Sequence, residues 1–246
     1  MQTERLYPIL KAVIIAGLAS GLLLGLFHFM LTEPVIDRAI ALEEAAMAPG
    51  QASQYLPLVS RGVQKVMLVV GSVLYGLLVG AIFAVLFALL RRSLPGRWPD
   101  IKAVALAGLL WWSVALLPFL KYPANPPGVG DSDTIYYRQT IQFSFVVLSA
   151  LTVVVAGVTY RLLGKQWRNP GLRRPVLTGL LYGILTILLF VLMPPNPDPI
   201  TAPAELVWDF RIRSLAGQVF FWAVLGVTSA LLLKRLARQG VLEKAD

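Results

Sequence analysis

The chain alternates between long apolar segments and shorter polar ones. Six segments consist almost wholly of apolar residues, at positions 12–31, 66–90, 103–120, 140–160, 176–193 and 214–233. A helix needs about 20 apolar residues to cross the hydrocarbon core of a bilayer. The pattern therefore predicts an all-α, polytopic integral membrane protein, a helical bundle with about six transmembrane helices.

The first apolar segment has a second interpretation, because a secretory signal peptide also places basic residues ahead of an apolar core. Such a core has about 7–15 residues with a small-residue cleavage site close behind. The segment at 12–31 is longer and runs directly into a Thr-Glu-Pro sequence. We therefore expect an uncleaved first span, followed by a short helix over 33–48 that lies outside the bilayer and ends at Pro49 and Gly50.

An internal repeat groups the later spans. Residues 106–111 (LAGLLW) match 177–182 (LTGLLY), and the same spacing carries 123–126 (PANP) onto 194–197 (PPNP). One register thus explains two separate matches, which predicts that spans three and four and spans five and six are copies of one helical hairpin. With spans one and two as a diverged copy, the chain forms a single transmembrane domain, 1–246, of three tandem hairpins at 12–90, 103–160 and 176–233.

Composition supports the membrane prediction and removes several chemistries. Only 14% of the residues are charged and 57% are apolar, whereas soluble domains contain about 25% charged residues. The sequence contains no Cys and a single His. It therefore offers no disulfide framework, no thiolate metal site and no mechanism that requires two imidazoles from this chain.

The net charge of +9 is distributed unevenly along the chain. Segments 1–11, 91–102, 161–175 and 234–246 hold 15 of the 22 Lys and Arg residues and 4 of the 13 Asp and Glu residues. The other side, mainly the three polar loops at 32–65, 121–139 and 194–213, holds seven basic and nine acidic residues. Short loops rich in Lys and Arg stay cytoplasmic. We predict that both termini are cytoplasmic, that the three loops lie outside, and that no nucleic acid is bound.

Glycines in the second span are spaced for close helix packing. Gly71, Gly76 and Gly80 recur every four or five residues. Small residues at such positions let two membrane helices approach closely. We expect all three to face another helix.

Carboxylates and the only imidazole cluster at the outer end of the first span. Glu33 and Asp37 are four residues apart and share a helix face, and no nearby Lys in the sequence is placed to neutralise both. Divalent cations bind such oxygen atoms, and an imidazole adds a preference for Co, Ni or Zn. His28 lies about one turn before them. It is either a metal ligand or gate, or a side chain hydrogen-bonded to a neighbouring helix.

Two Asn-Pro pairs stand at the outer ends of spans three and five. Asn125 and Asn196 each precede a Pro, which ends the helix because Pro lacks an N–H and disfavours helical backbone in the residue before it. The freed carbonyls then either face water or point at a cation. Because the pairs occupy matched repeat positions, we predict that Asn125, Asn196 and the neighbouring Asp131 line a cation route, with plain helix termination as the alternative.

Three arginines lie near the same loops, at positions 138, 211 and 213. We expect them to neutralise nearby carboxylates and hold the loops down through bidentate pairs. The expected partners are Asp131, Asp133, Glu205 and Asp209. Binding of an anionic substrate is the alternative role.

The sequence lacks the motifs of known intramembrane enzyme classes. Ser72 does not stand in the Gly-x-Ser-Gly setting of a serine protease nucleophile, and one His cannot satisfy the two-His phosphatidate-type phosphatases. Glu43 and Glu44 are followed by Ala48 where CAAX-type proteases carry an Arg. No phosphate-cradling loop is present. We predict that the chain is not an enzyme, binds no cofactor, and depends on a gradient or another subunit for any transport.

Several motifs occur together across the chain. They are His28, the segment TEPVIDRAIALEEA from Thr32, the segment KYPANPPGVGD from Lys121, the pair Arg138-Gln139, and a Pro-Asn-Pro turn followed by Phe210-Arg211 and Gln218. Together they resemble the CbtA family, the predicted membrane subunit of a bacterial cobalt transporter. The resemblance implies uptake of Co²⁺ for cobalamin synthesis and a small His-bearing partner of the CbtB type. Members of that family are usually described with one span fewer than the six predicted here.

We therefore predict a membrane subunit of a transition-metal (cobalt) uptake transporter in the plasma (inner) membrane of a prokaryote. The predicted metal ligands are His28, Glu33, Asp37, Asn125, Asp131 and Asn196. The predicted partners are a divalent metal ion as substrate, the lipid bilayer and, by resemblance, a CbtB-type subunit. The alternative is a non-transporting scaffold or anchor that binds a partner through its outer loops.

Overall fold

The structure is a computed structural model that describes residues 2–46, 59–166 and 171–241. Helices account for 84% of these residues, and no strand occurs among them. The all-α prediction is therefore confirmed. The predicted helix end at Pro49 and Gly50 lies outside the described residues.

The helices are numbered in chain order over the described part of the chain. They are α1 (Gln2–Phe27), α2 (Glu33–Ala46), α3 (Arg61–Leu90), α4 (Pro99–Leu110), α5 (Leu117–Lys121), α6 (Ile135–Gln166), α7 (Arg173–Leu192) and α8 (Ala204–Arg238). Two π-helical turns, His28–Thr32 and Trp111–Leu116, join α1 to α2 and α4 to α5. A 3₁₀ turn, Ser132–Thr134, precedes α6.

Six helical stretches among the described residues are long and apolar enough to cross a membrane, judged by length and composition. They are Leu6–Ala46, Arg61–Leu90, Pro99–Lys121, Ser132–Gln166, Arg173–Leu192 and Ala204–Arg238. The prediction of six such helices is confirmed. The first one differs from the expectation in one respect, because α1 continues through a π turn into α2 without the break expected at its outer end.

Each π-helical turn contains the residue that stands four positions before a proline in the sequence. Pro34 and Pro118 stand one residue inside α2 and α5. A proline ring within a helix clashes with the carbonyl four residues earlier, which here belongs to Met30 and to Val114. We attribute the wider turns to this clash, since helical irregularities of this size arise at Pro and at π-bulges.

The chain divides into two compact units. Unit one comprises Met1–Gly108, Asn125–Gly128 and Ala202–Asp246, and unit two comprises Leu109–Ala124 and Val129–Thr201. Of the two helices predicted as the last hairpin, α7 belongs to unit two and α8 to unit one. The single domain and the three tandem hairpins stay predictions.

In unit one, α1 and α3 pack with their backbones in direct contact. A Cβ atom added at Gly80 would lie 2.8 Å from Gly17 Cα, and one added at Gly76 would lie 2.6 Å from Gly21 Cα. Only residues without a side chain allow this approach. The prediction is confirmed for Gly76 and Gly80. It is wrong for Gly71, where an added Cβ would meet nothing within 4 Å.

The long helix α8 completes unit one by packing against α1 and α2. The rings of Phe27 and Phe220 stack with their centroids 5.5 Å apart. Further along, Val35 and Ala39 of α2 form a buried apolar cluster with Leu206 of α8. This cluster fixes α2 and so determines which of its faces presents Glu33 and Asp37.

Unit two is packed through aromatic and aliphatic side chains. Its buried cluster consists of Leu117, Tyr122, Ile141, Phe145 and Leu189. The Phe145 ring stands edge-on to Tyr122 at 5.7 Å and to Phe190 at 5.2 Å. Edge-to-face pairs at such distances stabilise a core beyond the burial of their area. The loops that follow α5 and α7 start from this cluster.

Candidate functional site

His28 begins the first π-helical turn, and its imidazole is held from two sides. Its Nδ1 lies 2.8 Å from Thr32 Oγ1, one turn ahead. A Cβ atom added at Gly217 of α8 would lie 2.6 Å from His28 Cε1 and 2.9 Å from Nε2, so the ring fits against α8 only because residue 217 is a glycine. The hydrogen bond of His28 is therefore within its own turn and not to a neighbouring helix.

The contact with Thr32 has a chemical consequence for the other ring nitrogen. In the tautomer that donates from Nδ1 to Thr32 Oγ1, Nε2 keeps its lone pair. Among the described residues, no hydrogen bond engages Nε2. Metal-bound histidines commonly donate their second ring N–H to an oxygen in this way, which fixes the ring and its tautomer. In that tautomer His28 would share this feature with metal-bound histidines, and its role as a ligand stays a prediction.

Glu33 and Asp37 are brought together by basic side chains at the start of α3. The Arg61 guanidinium binds Glu33 Oε2 through Nη2, and it donates to Asp37 Oδ1 from Nη2 at 2.8 Å and from Nε at 3.1 Å. Lys65 Nζ lies 2.6 Å from Asp37 Oδ2. As the sequence indicated, no Lys neutralises both carboxylates, since Lys65 reaches only Asp37, but an arginine that the sequence analysis did not consider binds both. Two carboxylates and two cations form one balanced cluster, which we call the Arg61 cluster.

The members of the Arg61 cluster differ in burial, and burial determines how much each ion pair contributes to the stability of the protein. The Glu33 side chain is 6% exposed, whereas that of Asp37 is 43% exposed. A buried carboxylate that loses its partner costs about 3–5 kcal/mol, while an exposed ion pair contributes at most about 1 kcal/mol. Arg61 is therefore the essential cation of the cluster, and Lys65 is an accessory one.

Two further contacts tie α8 to this region of unit one. Arg38 Nη2 of α2 binds Asp209 Oδ2, and Arg213 Nη1 binds the Leu31 carbonyl inside the π turn. The expected pairing of Asp209 with a following Arg is corrected by the first contact. Arg213 instead satisfies a backbone carbonyl, because the π turn alters the regular hydrogen-bond ladder at Leu31.

Asn125 also belongs to unit one, within the short stretch Asn125–Gly128. Its Oδ1 accepts a hydrogen bond from Arg211 Nη2 at 2.8 Å. Gly128 has a φ of +78°, and a Cβ atom there would lie 2.9 Å from Glu43 Oε2. Both constraints explain a glycine at this position. The Asn125 side chain thus anchors α8 to the loop.

In unit two, the Asp198 carboxylate joins the loop that follows α7 to the loop that follows α5. Its side chain is 6% exposed. Its Oδ2 accepts from Thr134 Oγ1 at 2.7 Å and from the Asp131 backbone N–H at 3.0 Å, and Arg138 Nε lies 3.0 Å away. Gly130, with a φ of +99°, leaves room for this pair, because a Cβ there would lie 2.6 Å from Asp198 Oδ2. Asp198 was not among the predicted ligands.

The predicted ligands Asp131 and Asn196 both serve this loop structure. Asp131 Oδ1 accepts from the Asp133 N–H at 2.9 Å and so caps the 3₁₀ turn. Asn196 Oδ1 accepts from the Asp198 N–H at 3.2 Å, a side-chain turn common for Asn. Arg138 pairs with Asp198 and donates to the Asp131 carbonyl at 2.8 Å, which corrects the expected pairing with the Asp131 carboxylate.

The ends of α5 and α7 also meet in unit two. Lys121 Nζ lies 2.8 Å from the Phe190 carbonyl, and the Tyr122 hydroxyl donates to the Pro194 carbonyl at 2.6 Å. Burial raises the pKa of Tyr122, which favours the protonated phenol that donates this hydrogen bond. A terminal carbonyl of α7 therefore accepts from a lysine of the chain, and the cation route along Asn125, Asp131 and Asn196 stays a prediction.

The structure thus assigns His28, Glu33, Asp37 and Asn125 to unit one, and Asp131 and Asn196 to unit two. Within the described residues, no three His, Asp or Glu side chains form a group that could hold a metal ion by themselves. Sequence reasoning missed Arg61 and Lys65. Their spacing of four residues, matching that of Glu33 and Asp37, was a usable signal because such pairs share a helix face.

The family model described as probable cobalt transporter subunit (CbtA) matches residues 7–234. The chain belongs to the CbtA family. No curated protein matches the chain. No solved structure matches it either.

The CbtA match includes all six predicted ligand positions and all six long apolar helices except Leu6 at one end and residues 235–238 at the other. Membership of a transporter-subunit family, together with those helices, identifies a multi-pass membrane protein. It supports a role in cobalt transport and gives no support to the scaffold alternative. A subunit implies partners, which the family description does not name.

Proposed function

We propose that this CbtA-family chain is the membrane subunit that takes up Co²⁺ in the plasma membrane of a prokaryote, with both termini in the cytoplasm. The observation that carries the proposal is His28. It is the only imidazole of the chain, it lies in a membrane-spanning helix, and its Nδ1 is bonded to Thr32 Oγ1. An ionisable side chain inside a span marks a substrate path by default.

Glu33 and Asp37 supply the oxygen ligands in this proposal. They follow His28 by five and nine residues on the continuous helix, and both are occupied by Arg61. A divalent cation would reach them by replacing Arg61 and Lys65, so that two positive charges leave as two arrive. This exchange keeps the cluster neutral in both states and makes the site one of modest affinity, which suits release during transport.

The remaining predicted ligands have a secondary place in the proposal. The Oδ1 atom of Asn125 is engaged by Arg211, and the side chains of Asp131 and Asn196 stabilise their own loops. They are candidate oxygen donors only if these hydrogen bonds open. No resident cofactor is part of the proposal, and Co²⁺ is its substrate.

A partner would complete the coordination of the metal. One imidazole and two carboxylates leave positions open on a cation that prefers mixed nitrogen and oxygen ligands. A small His-bearing membrane subunit of the CbtB type would fill them with further imidazoles. We therefore expect weak Co²⁺ binding by this chain alone and tighter binding with the partner.

The test is Co²⁺ accumulation in cells that express the chain together with its partner. His28→Ala and Glu33→Gln should each lower uptake by about tenfold or more, the range seen when metal-site residues are changed. Glu44→Gln is the matched control, because Glu44 is an exposed carboxylate of α2 with no described ion pair, and it should leave uptake within about twofold. Unchanged uptake in both His28→Ala and Glu33→Gln, at equal membrane amounts, overturns the proposal.

A further inference from the structure

A groove of about 450 Å³ opens between the beginning of α1 and the end of α8 in unit one. It is separate from His28 and the Arg61 cluster, which lie at the other end of α1. Its wall is formed by Tyr7, Lys11 and Ile15 on α1 and by Leu232, Arg235 and Gln239 on α8, among others. A volume of this size accommodates a small organic ligand.

The groove is polar at one end and apolar at the other. Because α1 leads away from this end of unit one and α8 leads towards it, Tyr7 and Gln239 mark the same end, and Ile15 and Leu232 mark the opposite one. Eight residues of α1 separate Tyr7 from Ile15, about 12 Å along the helix axis. Lys11 and Arg235 lie midway between these two ends, and the apolar end continues along Ile15, which is 47% exposed.

The two positive charges in the middle of the groove have no acidic partner among the described residues. Lys11 and Arg235 both line the groove, and neither forms an ion pair among the described residues. No acidic residue lines the groove in that part of the chain. By contrast, Lys234, the neighbour of Arg235, pairs with Asp100 at 3.4 Å. Two unpaired cations on one wall attract an anion.

We propose that this groove is a binding site for one anionic phospholipid, with the phosphate between Lys11 and Arg235 and an acyl chain over Ile15 and Leu232. A membrane protein always has such lipids within reach, and basic pockets between membrane helices bind their headgroups. A free anion such as phosphate would match only the cations and leave the apolar half uncovered. A neutral lipid would match only the apolar half.

The experiment uses the full chain purified in detergent. The thermal unfolding midpoint is measured as lipid is added, and the lipid concentration that gives half of the maximal rise in this midpoint reports the affinity. Phosphatidylglycerol, phosphatidylcholine and glycerol 3-phosphate are the three probes. The first should stabilise the protein, and the other two should do so at least about tenfold more weakly. An equal effect of phosphatidylcholine, or of glycerol 3-phosphate, overturns the proposal.

Two sets of variants locate the effect. The double variant Lys11→Gln/Arg235→Gln should weaken phosphatidylglycerol binding by about 25-fold, from about fivefold per cation. Arg92→Gln/Arg238→Gln removes the same charge from exposed positions outside the groove and should match the wild type. Equal weakening in both double variants shows a diffuse charge effect and overturns the proposal.

A third variant guards against misfolding of the first double variant. Ile15→Gln keeps both cations and removes an apolar contact, so it should weaken binding of phosphatidylglycerol while glycerol 3-phosphate binding is unchanged. The proposal is overturned if Ile15→Gln binds phosphatidylglycerol like the wild type and if, in addition, Lys11→Gln/Arg235→Gln either binds it normally or does not fold. Cobalt uptake plays no part in these readouts, so the outcome is independent of the proposed transport function.

Discussion

The two units stabilise equally buried carboxylates by different means. Glu33 in unit one and Asp198 in unit two each have a side chain that is 6% exposed. The only described partner of the Glu33 carboxylate is Arg61. Asp198 has Arg138 and, in addition, the Thr134 hydroxyl and the Asp131 N–H.

This difference suits the two carboxylates to different roles, because Glu33 depends on one cation and Asp198 does not. A carboxylate held by neutral donors keeps its place whatever happens to its cation, and so Asp198 fixes the loops of unit two. A carboxylate held by one exchangeable cation can accept another in its place. On the proposed function, that makes the Arg61 cluster the part of the chain where Co²⁺ replaces a protein charge.

The largest effect should follow removal of Arg61. Arg61→Gln leaves Glu33 buried without a cation and should destabilise the protein by about 3–5 kcal/mol. The measurement is the thermal unfolding midpoint of the purified protein in detergent. The double variant Arg61→Gln/Glu33→Gln, which removes both charges, should regain most of this loss. If it unfolds at the same temperature as Arg61→Gln, Glu33 does not depend on Arg61.

Removal of Arg138 should have a smaller effect, because the Asp198 carboxylate keeps two neutral donors. We expect Arg138→Gln to cost about 1.5–3 kcal/mol, the contribution of a hydrogen-bonded charge. The same unfolding measurement gives the comparison. A loss equal to that of Arg61→Gln would remove the distinction between the two units.

Helix packing gives a third contrast between the units. Gly80→Ala adds a Cβ atom 2.8 Å from Gly17 Cα, so α1 and α3 must separate, and overpacking of this kind costs about 1–3 kcal/mol. Gly183→Ala, on α7 of unit two, adds a Cβ that meets nothing within 4 Å and should be neutral or stabilising. The unfolding midpoints of the two variants check this. Equal shifts would show that the glycine contact contributes nothing.

The smallest effect is expected for Lys65. Its partner Asp37 is 43% exposed and retains Arg61. Lys65→Gln should therefore cost less than about 1 kcal/mol. A loss as large as that of Arg61→Gln would mean that the two cations are equivalent and that the cluster has no single essential partner.

The sequence predicts the helices well because a bilayer imposes a simple constraint. An apolar run of about 20 residues leaves few alternatives to a spanning helix, and all six runs lie in such helices. Prediction fails at the π turn before α2. There the apolar pattern ends and Pro34 follows, which resembles a break, yet packing of Val35 and Ala39 against Leu206 keeps the helix continuous.

The candidate site is predicted less completely, for a different reason. Residue types reveal that Glu33 and Asp37 share a face, since their spacing is local. Their partners Arg61 and Lys65 lie 24 to 28 residues later, and only the packing of α1 on α3 brings them near. The same applies to Asp198, whose partners are 60 or more residues away. The spacing of Arg61 and Lys65 matches that of Glu33 and Asp37, but only the tertiary packing shows that these two helix faces meet.

On the proposed function, His28 and the carboxylates of the Arg61 cluster bind Co²⁺. The most direct measurement is the X-ray absorption spectrum of Co²⁺ bound to the purified protein, for the wild type, His28→Ala and the control Glu44→Gln. We expect one imidazole nitrogen among mainly oxygen ligands in the wild type and in Glu44→Gln. In His28→Ala, we expect no imidazole signal, and we expect the affinity for Co²⁺ to fall by about tenfold or more. An unchanged spectrum and affinity in His28→Ala would contradict the claim.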